Sequence, residues 1–151
     1  MIHVIIGTRA QIIKMGPVMK ELENREVDYN FIFLAQHKET MHEIMAQLEI
    51  KKPDIVIGDT NKDITNVKDM ILWSFRVLIY AFSKRTKIFR NDKKGVVLIH
   101  GDAPPLFLGG LMAKLQGLKV AQIEAGLRSF NYVKPFPEEL TRVLSAKIGL
   151  I

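Results

Sequence analysis

Short apolar runs alternate with segments of helical periodicity along nearly the whole chain, and that alternation restricts the fold more than any other feature. Ile2–Ile6 is short and β-branched, which reads as a buried strand. Ile12, Ile13, Met15, Val18, Met19 and Leu22 then recur at helical spacing, with Pro17 as a kink or early-turn residue. Residues 29–35 predict a second strand, and residues 39–48 a helix with Met41, Ile44, Met45 and Leu48 on one side. Ile55–Ile57 follows Pro53-Asp54 as a third strand, and Asp63 opens a long helical segment reaching about Phe89. Residues 96–99 and 120–123 predict two more strands around a helix over 106–116, and a last helix runs from about Pro137 to Lys147. Strands separated by helices imply an α/β fold: a doubly wound parallel sheet, Rossmann-like, built from right-handed crossovers.

At 151 residues the chain is one domain with room for a core, and no repeat, low-complexity tract or linker divides it. Cysteine is absent, which excludes disulfides and cysteine-based metal sites or nucleophiles and is compatible with a cytoplasmic location. Residues 1–6 lack a basic leader and a small-residue cleavage site, so they read as the first strand rather than a signal peptide. The net charge of +6 lies largely in Lys84, Arg85, Lys87, Arg90, Lys93 and Lys94. Such a cluster can attract nucleic acid, acidic lipid or a diphosphate. Without a nucleic-acid motif beside it, it reads as a solvated helix end, where cations suit the negative carboxyl terminus. Segment 70–82 is apolar nearly all round but too short, and too interrupted by Arg76, to span a bilayer, which needs about 20 apolar residues. One stripe of it (Met70, Trp73, Val77, Tyr80) is expected to cover the sheet. The other (Ile71, Phe75, Leu78, Phe82) is expected to pack under a neighbouring helix or to meet a partner.

The chemistry gathers just after the strands. Ile123-Glu124-Ala125-Gly126-Leu127-Arg128-Ser129, then Pro135-Phe136-Pro137-Glu138-Glu139 and Arg142, set carboxylates beyond a strand end, where open parallel sheets bind ligands. Two readings stay open for this stretch: groups placed for proton transfer, or a capped helix start with Pro137 in its first turn. Gly7-Thr8-Arg9 and Lys14 lie after the first strand, but form neither a dinucleotide fingerprint nor a Walker loop. Gln36-His37 follows the second apolar run, and His100-Gly101-Asp102 the fourth. No histidine–carboxylate spacing suggests a metal.

Taken in series, Gly7-Thr8-Arg9, Ile13-Lys14-Met15 with Pro17, Gln36-His37, His100-Gly101-Asp102, Glu124-Ala125-Gly126-Leu127-Arg128 and Pro137-Glu138-Glu139 resemble the amino-terminal half of the UDP-N-acetylglucosamine 2-epimerase family. The resemblance implies the first domain of a two-domain, glycosyltransferase-B-type architecture. Residues 1–151 would form it, lacking its final strand, and a second nucleotide-binding domain would be absent. It implies catalytic roles for Asp102, Glu124 and Glu138, and substrate contacts for Arg9, Lys14, Gln36, His37, His100 and Arg128. The implied reaction interconverts UDP-GlcNAc and UDP-ManNAc by eliminating UDP and re-adding it through a 2-acetamidoglucal, with no cofactor and no metal. Two alternatives are half of a hydrolysing relative, releasing N-acetylmannosamine and UDP, and a non-catalytic partner-binding module. Expected partners are the UDP-sugar, a carboxy-terminal domain or a chain supplying it, and a second copy in a homodimer, with no nucleic acid and no membrane span. The chain departs from the family pattern at Ala103-Pro104-Pro105, which stand where threonines usual in the family would supply hydroxyls, and in the longer helical segment with its basic tail.

Overall fold

The computed structural model describes residues 1–36, 41–58, 64, 66–131 and 138–147. Five strands, β1 (Ile2–Ile6), β2 (Tyr29–Leu34), β3 (Ile55–Ile57), β4 (Val96–His100) and β5 (Lys119–Ile123), form one sheet in the order β3-β2-β1-β4-β5. Every pairing is parallel. The helices are α1 (Arg9–Asn24), α2 (Met41–Gln47), α3 (Val67–Ile88), α4 (Pro104–Gln116) and α5 (Glu138–Lys147). The doubly wound α/β architecture expected from the alternation is the one present. The starts expected at Glu39, Asp63 and Pro137 lie outside the described residues.

Alternation within the strands divides the core in two, because successive side chains point to opposite faces. Val4, Ile6, Phe31 and Phe33 pack with Met15, Met19 and Met41 on the α1–α2 side. Ile5, Ile32, Leu34, Val97, Ile99 and Val120 pack with Trp73, Val77, Leu106 and Met112 on the α3–α4 side. All six residues of β2 are buried, as a strand covered on both faces requires. Pro17 sits inside α1 rather than in its first turn.

On α3, Trp73 and Val77 are buried, and Trp73 Nε1 donates to the Gly58 carbonyl at 3.1 Å. Gly58 has φ +73°, and a side chain there would strike the Trp73 indole, so glycine is needed twice over. On the second stripe Leu78 packs against the core, but Phe75 and Phe82 remain 62% and 60% exposed, so full packing under a neighbouring helix is not what occurs. The neighbouring helices cover it only in part. They leave an apolar cavity of about 320 Å³ among Ile71, Phe75 and Leu78 of α3, Phe107 of α4, and Leu140 and Leu144 of α5. The basic run divides as well. Arg85 and Lys87 close the last turn of α3, whereas Arg90 lies beyond it and pairs with Asp54 at 2.9 Å.

The chain runs outward from β1 through β2 to β3, then returns to the other side of β1 for β4 and β5. The order therefore reverses between β1 and β4, and such a reversal opens a crevice at the strands' carboxyl ends. Gly7, Gly101-Asp102 and Glu124 directly follow β1, β4 and β5. The fold thus sets three of the candidate motifs side by side.

Candidate active site

The first loop is organised by a capping box. Thr8 is the N-cap of α1 and its hydroxyl accepts from Gln11 N. Gln11 Oε1 in turn accepts from the backbone of Gly7 (2.8 Å) and Thr8 (3.1 Å), while its Nε2 donates to the His100 carbonyl at 2.9 Å. One glutamine therefore ties the β1 loop to the end of β4. It also consumes the amides that a phosphate-binding β1 loop would offer. Gly7 has no room for a side chain, since a Cβ would meet the Pro105 ring and the Leu34 carbonyl oxygen.

Lys14, in the second turn of α1, reaches across to Glu124, with Nζ 2.7 Å from Oε1 and 2.9 Å from Oε2. Glu124 follows β5 with φ +61°, a left-handed conformation costly for a non-glycine residue by about 1–3 kcal/mol. Gly126, at φ +87°, completes the turn. Gln122 Nε2 donates to the Gly101 carbonyl at 2.9 Å, holding the β4 and β5 loops together. His100 Nε2 lies 3.4 Å from Glu124 Oε2, and His100 is only 4% exposed. The Lys14 hydrogen bond holds the Glu124 carboxyl below its ordinary range. Burial pushes the His100 imidazole down, against the opposing pull of Glu124. His100 Nδ1 is buried without a hydrogen-bond partner among the described residues.

The third group joins the β4 loop to α5. Arg142 donates through Nε to Asp102 Oδ2 at 2.9 Å and through its Nη2 to the same oxygen. Glu139, one turn earlier on α5, is fully buried. Its carboxylate accepts from Arg128 Nε (2.6 Å), Ser129 N (2.8 Å) and Ser129 Oγ (3.0 Å), and Arg142 Nη1 lies 3.7 Å away. The Ser129 backbone hydrogen bond, with help from Arg128 and the Ser129 hydroxyl, holds Glu139 down at about 2.

A cavity of about 220 Å³ opens among these groups, with Lys14, His100, Asp102, Glu124 and Arg142 on its wall. Arg128 borders a smaller adjoining space of about 40 Å³ together with Glu124 and Arg142. Arg9, Gln36 and Glu138 line neither. Arg9 opens α1 on its exposed side, so Lys14 is the cation of that helix that reaches the cavity. Gln36 is buried, its Oε1 without a partner among the described residues, and Glu138 has a buried Oε2 in the same condition. His37 lies outside the described residues. Gln11, Glu139 and Arg142 are the additions. The Thr8–Gln11 spacing was a legible capping-box signal for the first. Periodicity along α5 could not rank Glu139 over Glu138, because both open the same helix.

Chemically, the cavity joins an ionised carboxylate (Glu124), a second carboxylate held by arginine (Asp102), a buried imidazole and two cations. The amino end of α4 adds little to this set, because Pro104 and Pro105 open the helix without backbone N–H groups and the Leu106 amide already donates to the Ala103 carbonyl at 2.9 Å. That set suits proton transfer next to a departing anion. Among the described residues no group of three or more histidine or carboxylate side chains is placed to hold a metal ion, and no helix is long and apolar enough to cross a membrane.

A doubly wound sheet with acid–base groups and cations gathered at its strand ends defines a Rossmann-like domain with a polar cavity. The chain belongs to the UDP-N-acetylglucosamine 2-epimerase family, whose sequence model matches residues 20–151. It is 33% identical over 143 residues to the UDP-N-acetylglucosamine 2-epimerase of Campylobacter jejuni, covering 93% of this chain and 35% of that protein. It is 34% identical over 150 residues to the enzyme of that name from Methanococcus maripaludis, covering 98% and 37%. Among solved structures, the Methanocaldococcus jannaschii UDP-GlcNAc 2-epimerase in complex with UDP-GlcNAc and UDP superposes with a TM-score of 0.78 at 29% identity, over 98% of this chain and 38% of that one. The Neisseria meningitidis UDP-GlcNAc 2-epimerase bound to UDP-GlcNAc gives 0.75 at 28%, over 98% and 38%. The chain thus spans a little over a third of the length of the relatives it matches.

Proposed function

We propose that this chain forms the amino-terminal wall of a UDP-N-acetylglucosamine 2-epimerase active site that interconverts UDP-GlcNAc and UDP-ManNAc. The observation that carries the reading is the meeting of Glu124 and Asp102, from the ends of adjacent parallel strands, in one cavity with Lys14, His100 and Arg142. Inverting C2 requires a base on one face of the sugar and an acid on the other. Glu124, kept ionised by Lys14, suits the base that removes the C2 proton. As that proton leaves, the C1–O bond breaks, a C1=C2 double bond forms and UDP departs, giving the 2-acetamidoglucal. UDP then adds back while a proton reaches C2 from the opposite side, with Asp102 and Glu138 as the remaining carboxylates for that role. Lys14 and Arg142 favour the charge growing on the diphosphate. His100 and Arg128 add contacts within the cavity and the smaller space beside it, and Arg9, Gln36 and His37 are assigned to parts of the substrate that extend beyond them.

In this reading a second nucleotide-binding domain, outside residues 1–151 and supplied in the same polypeptide or by another chain, holds the uridine and closes the cleft. The setting is cytoplasmic, and the exposed face of α3 is available for self-association. The test is to mix the chain with a separately expressed second domain and assay UDP-sugar turnover. Asp102→Asn and Glu124→Gln should each lower the rate at least about 100-fold, the low end for loss of a general acid or base. Near-normal rates in both variants would refute the assignment. Product analysis separates the epimerase, which yields UDP-ManNAc, from a hydrolase, which yields free N-acetylmannosamine.

A further inference from the structure

Glu139 is chemically conspicuous and yet lines neither cavity. Its carboxylate is fully buried, and buried charge is tolerated only when paired and hydrogen-bonded. Three donors from two consecutive residues, Arg128 and Ser129, converge on its two oxygens. Those residues end the segment that begins at Glu124 and passes through Gly126, and both of these adopt positive φ. A segment with two left-handed residues keeps such a shape only when its surroundings hold it there. At its start the segment is held by Lys14 on Glu124, and at its end by Glu139. One turn along α5, Arg142 lies 3.7 Å from the same carboxylate while its Nε bonds Asp102. Glu139 is thus tied to the supports of both cavity carboxylates without touching the cavity.

We propose that Glu139 is a positioning residue, whose buried carboxylate anchors the 124–129 segment to α5 and so holds Glu124 against Lys14 and His100. The proposal rests on the reading of Glu124 as a working group of the site. It differs from a general packing role, because it requires the effect to travel to the far end of the loop. Ion pairs and hydrogen bonds at one end of a short strained segment can set the other end only while the segment acts as a unit.

His100 supplies the readout. The charges acting on its imidazole are Glu124 from the β5 loop, Lys14 from α1 and Asp102 from the β4 loop, with burial as the largest influence. Glu139 reaches it through the loop that carries Glu124 and, at one further remove, through Arg142 on Asp102, and Ser129→Ala, which touches the loop alone, separates the two routes. If that loop is released, His100 loses the stabilisation of its charged form by Glu124 and its pKa falls further. The experiment is an NMR titration of His100 in the intact chain for the parent, Glu124→Gln, Glu139→Gln and Ser129→Ala. Ser129→Ala removes one hydroxyl donor, keeps the backbone hydrogen bond, and provides a folded test if Glu139→Gln does not fold. The expected result is a fall in the His100 pKa in Glu124→Gln, a fall in the same direction and no larger in Glu139→Gln, and a smaller one in Ser129→Ala. A His100 titration that moves in Glu124→Gln but stays at the parent value in the folded Glu139 or Ser129 variants would overturn the positioning role and leave the proposed function standing. No movement even in Glu124→Gln would count against the Glu124–His100 pairing and against the proposed site as well.

Discussion

Lys14 and Glu124, 110 positions apart in sequence, meet with 2.7 Å between Nζ and Oε1 and bridge the first and last strands' loops across the mouth of β4. The pair is half exposed, and exposed ion pairs add little to stability. Its consequence is electrostatic. It keeps a carboxylate charged at the place where the sheet order reverses.

Replacing Lys14 with methionine should therefore raise the Glu124 pKa toward the ordinary carboxylate range, because the hydrogen bond is its largest perturbation. It should raise the His100 pKa too, since Lys14 disfavours the imidazolium. Carbon-detected titration of the two side chains checks both signs. An unmoved Glu124 would mean that the pair does not persist in solution.

Glu139 links stability to acidity. Its folded value of about 2 lies below the ordinary 4.5, so its contribution is present above about 4.5 and is lost as the pH falls through about 2. Thermal unfolding followed from neutral pH to pH 2 should show the parent losing stability across that window. Glu139→Gln should start lower at neutral pH and fall less steeply. Parallel curves would contradict the ionised, buried assignment.

The order of elements and the sites after β1, β4 and β5 were legible because apolar runs and turn residues are local signals. Glu124 and Asp102 could be read as strand-end carboxylates for the same reason. What stayed hidden depends on partners far away in sequence. Gln11 reads as a helix-capping residue, yet its amide also fastens the His100 carbonyl. Arg142 stands out in sequence beside the carboxylate motif, but its bond to Asp102, 40 positions away, does not. Glu138 and Glu139 are indistinguishable by type and neighbourhood, and only the packing of α5 decides which one is buried under Arg128 and Ser129. Whether the second stripe of α3 packs under a helix or stays exposed is illegible for a related reason. Periodicity shows that a face is apolar without showing what covers it.

Gly7 should tolerate no side chain. In Gly7→Ala the new methyl would meet the Pro105 ring and the Leu34 carbonyl, and overpacking of this kind costs about 1–3 kcal/mol. Denaturant unfolding should show that loss. Gly101→Ala, at positive φ but in open space, tests backbone strain without a collision. If Gly7→Ala unfolds at the parent's midpoint, the close approach of α4 to the β1 loop is not maintained.

In the proposed function, the cavity of Lys14, His100, Asp102, Glu124 and Arg142 is the place where this chain meets a UDP-sugar. Sites of this kind enclose most of their ligand, and the proposed second wall lies outside this chain. The isolated chain should accordingly bind UDP-N-acetylglucosamine with a dissociation constant no better than about 1 mM, or about 4 kcal/mol. The most direct measurement is NMR chemical-shift mapping of the labelled chain titrated with UDP-N-acetylglucosamine. The account predicts weak, saturable shifts concentrated at Lys14, His100, Gly101, Glu124 and Arg142, and their loss in Glu124→Gln combined with Lys14→Met. Shifts confined to the basic end of α3, or none at these five residues at millimolar ligand, would contradict it.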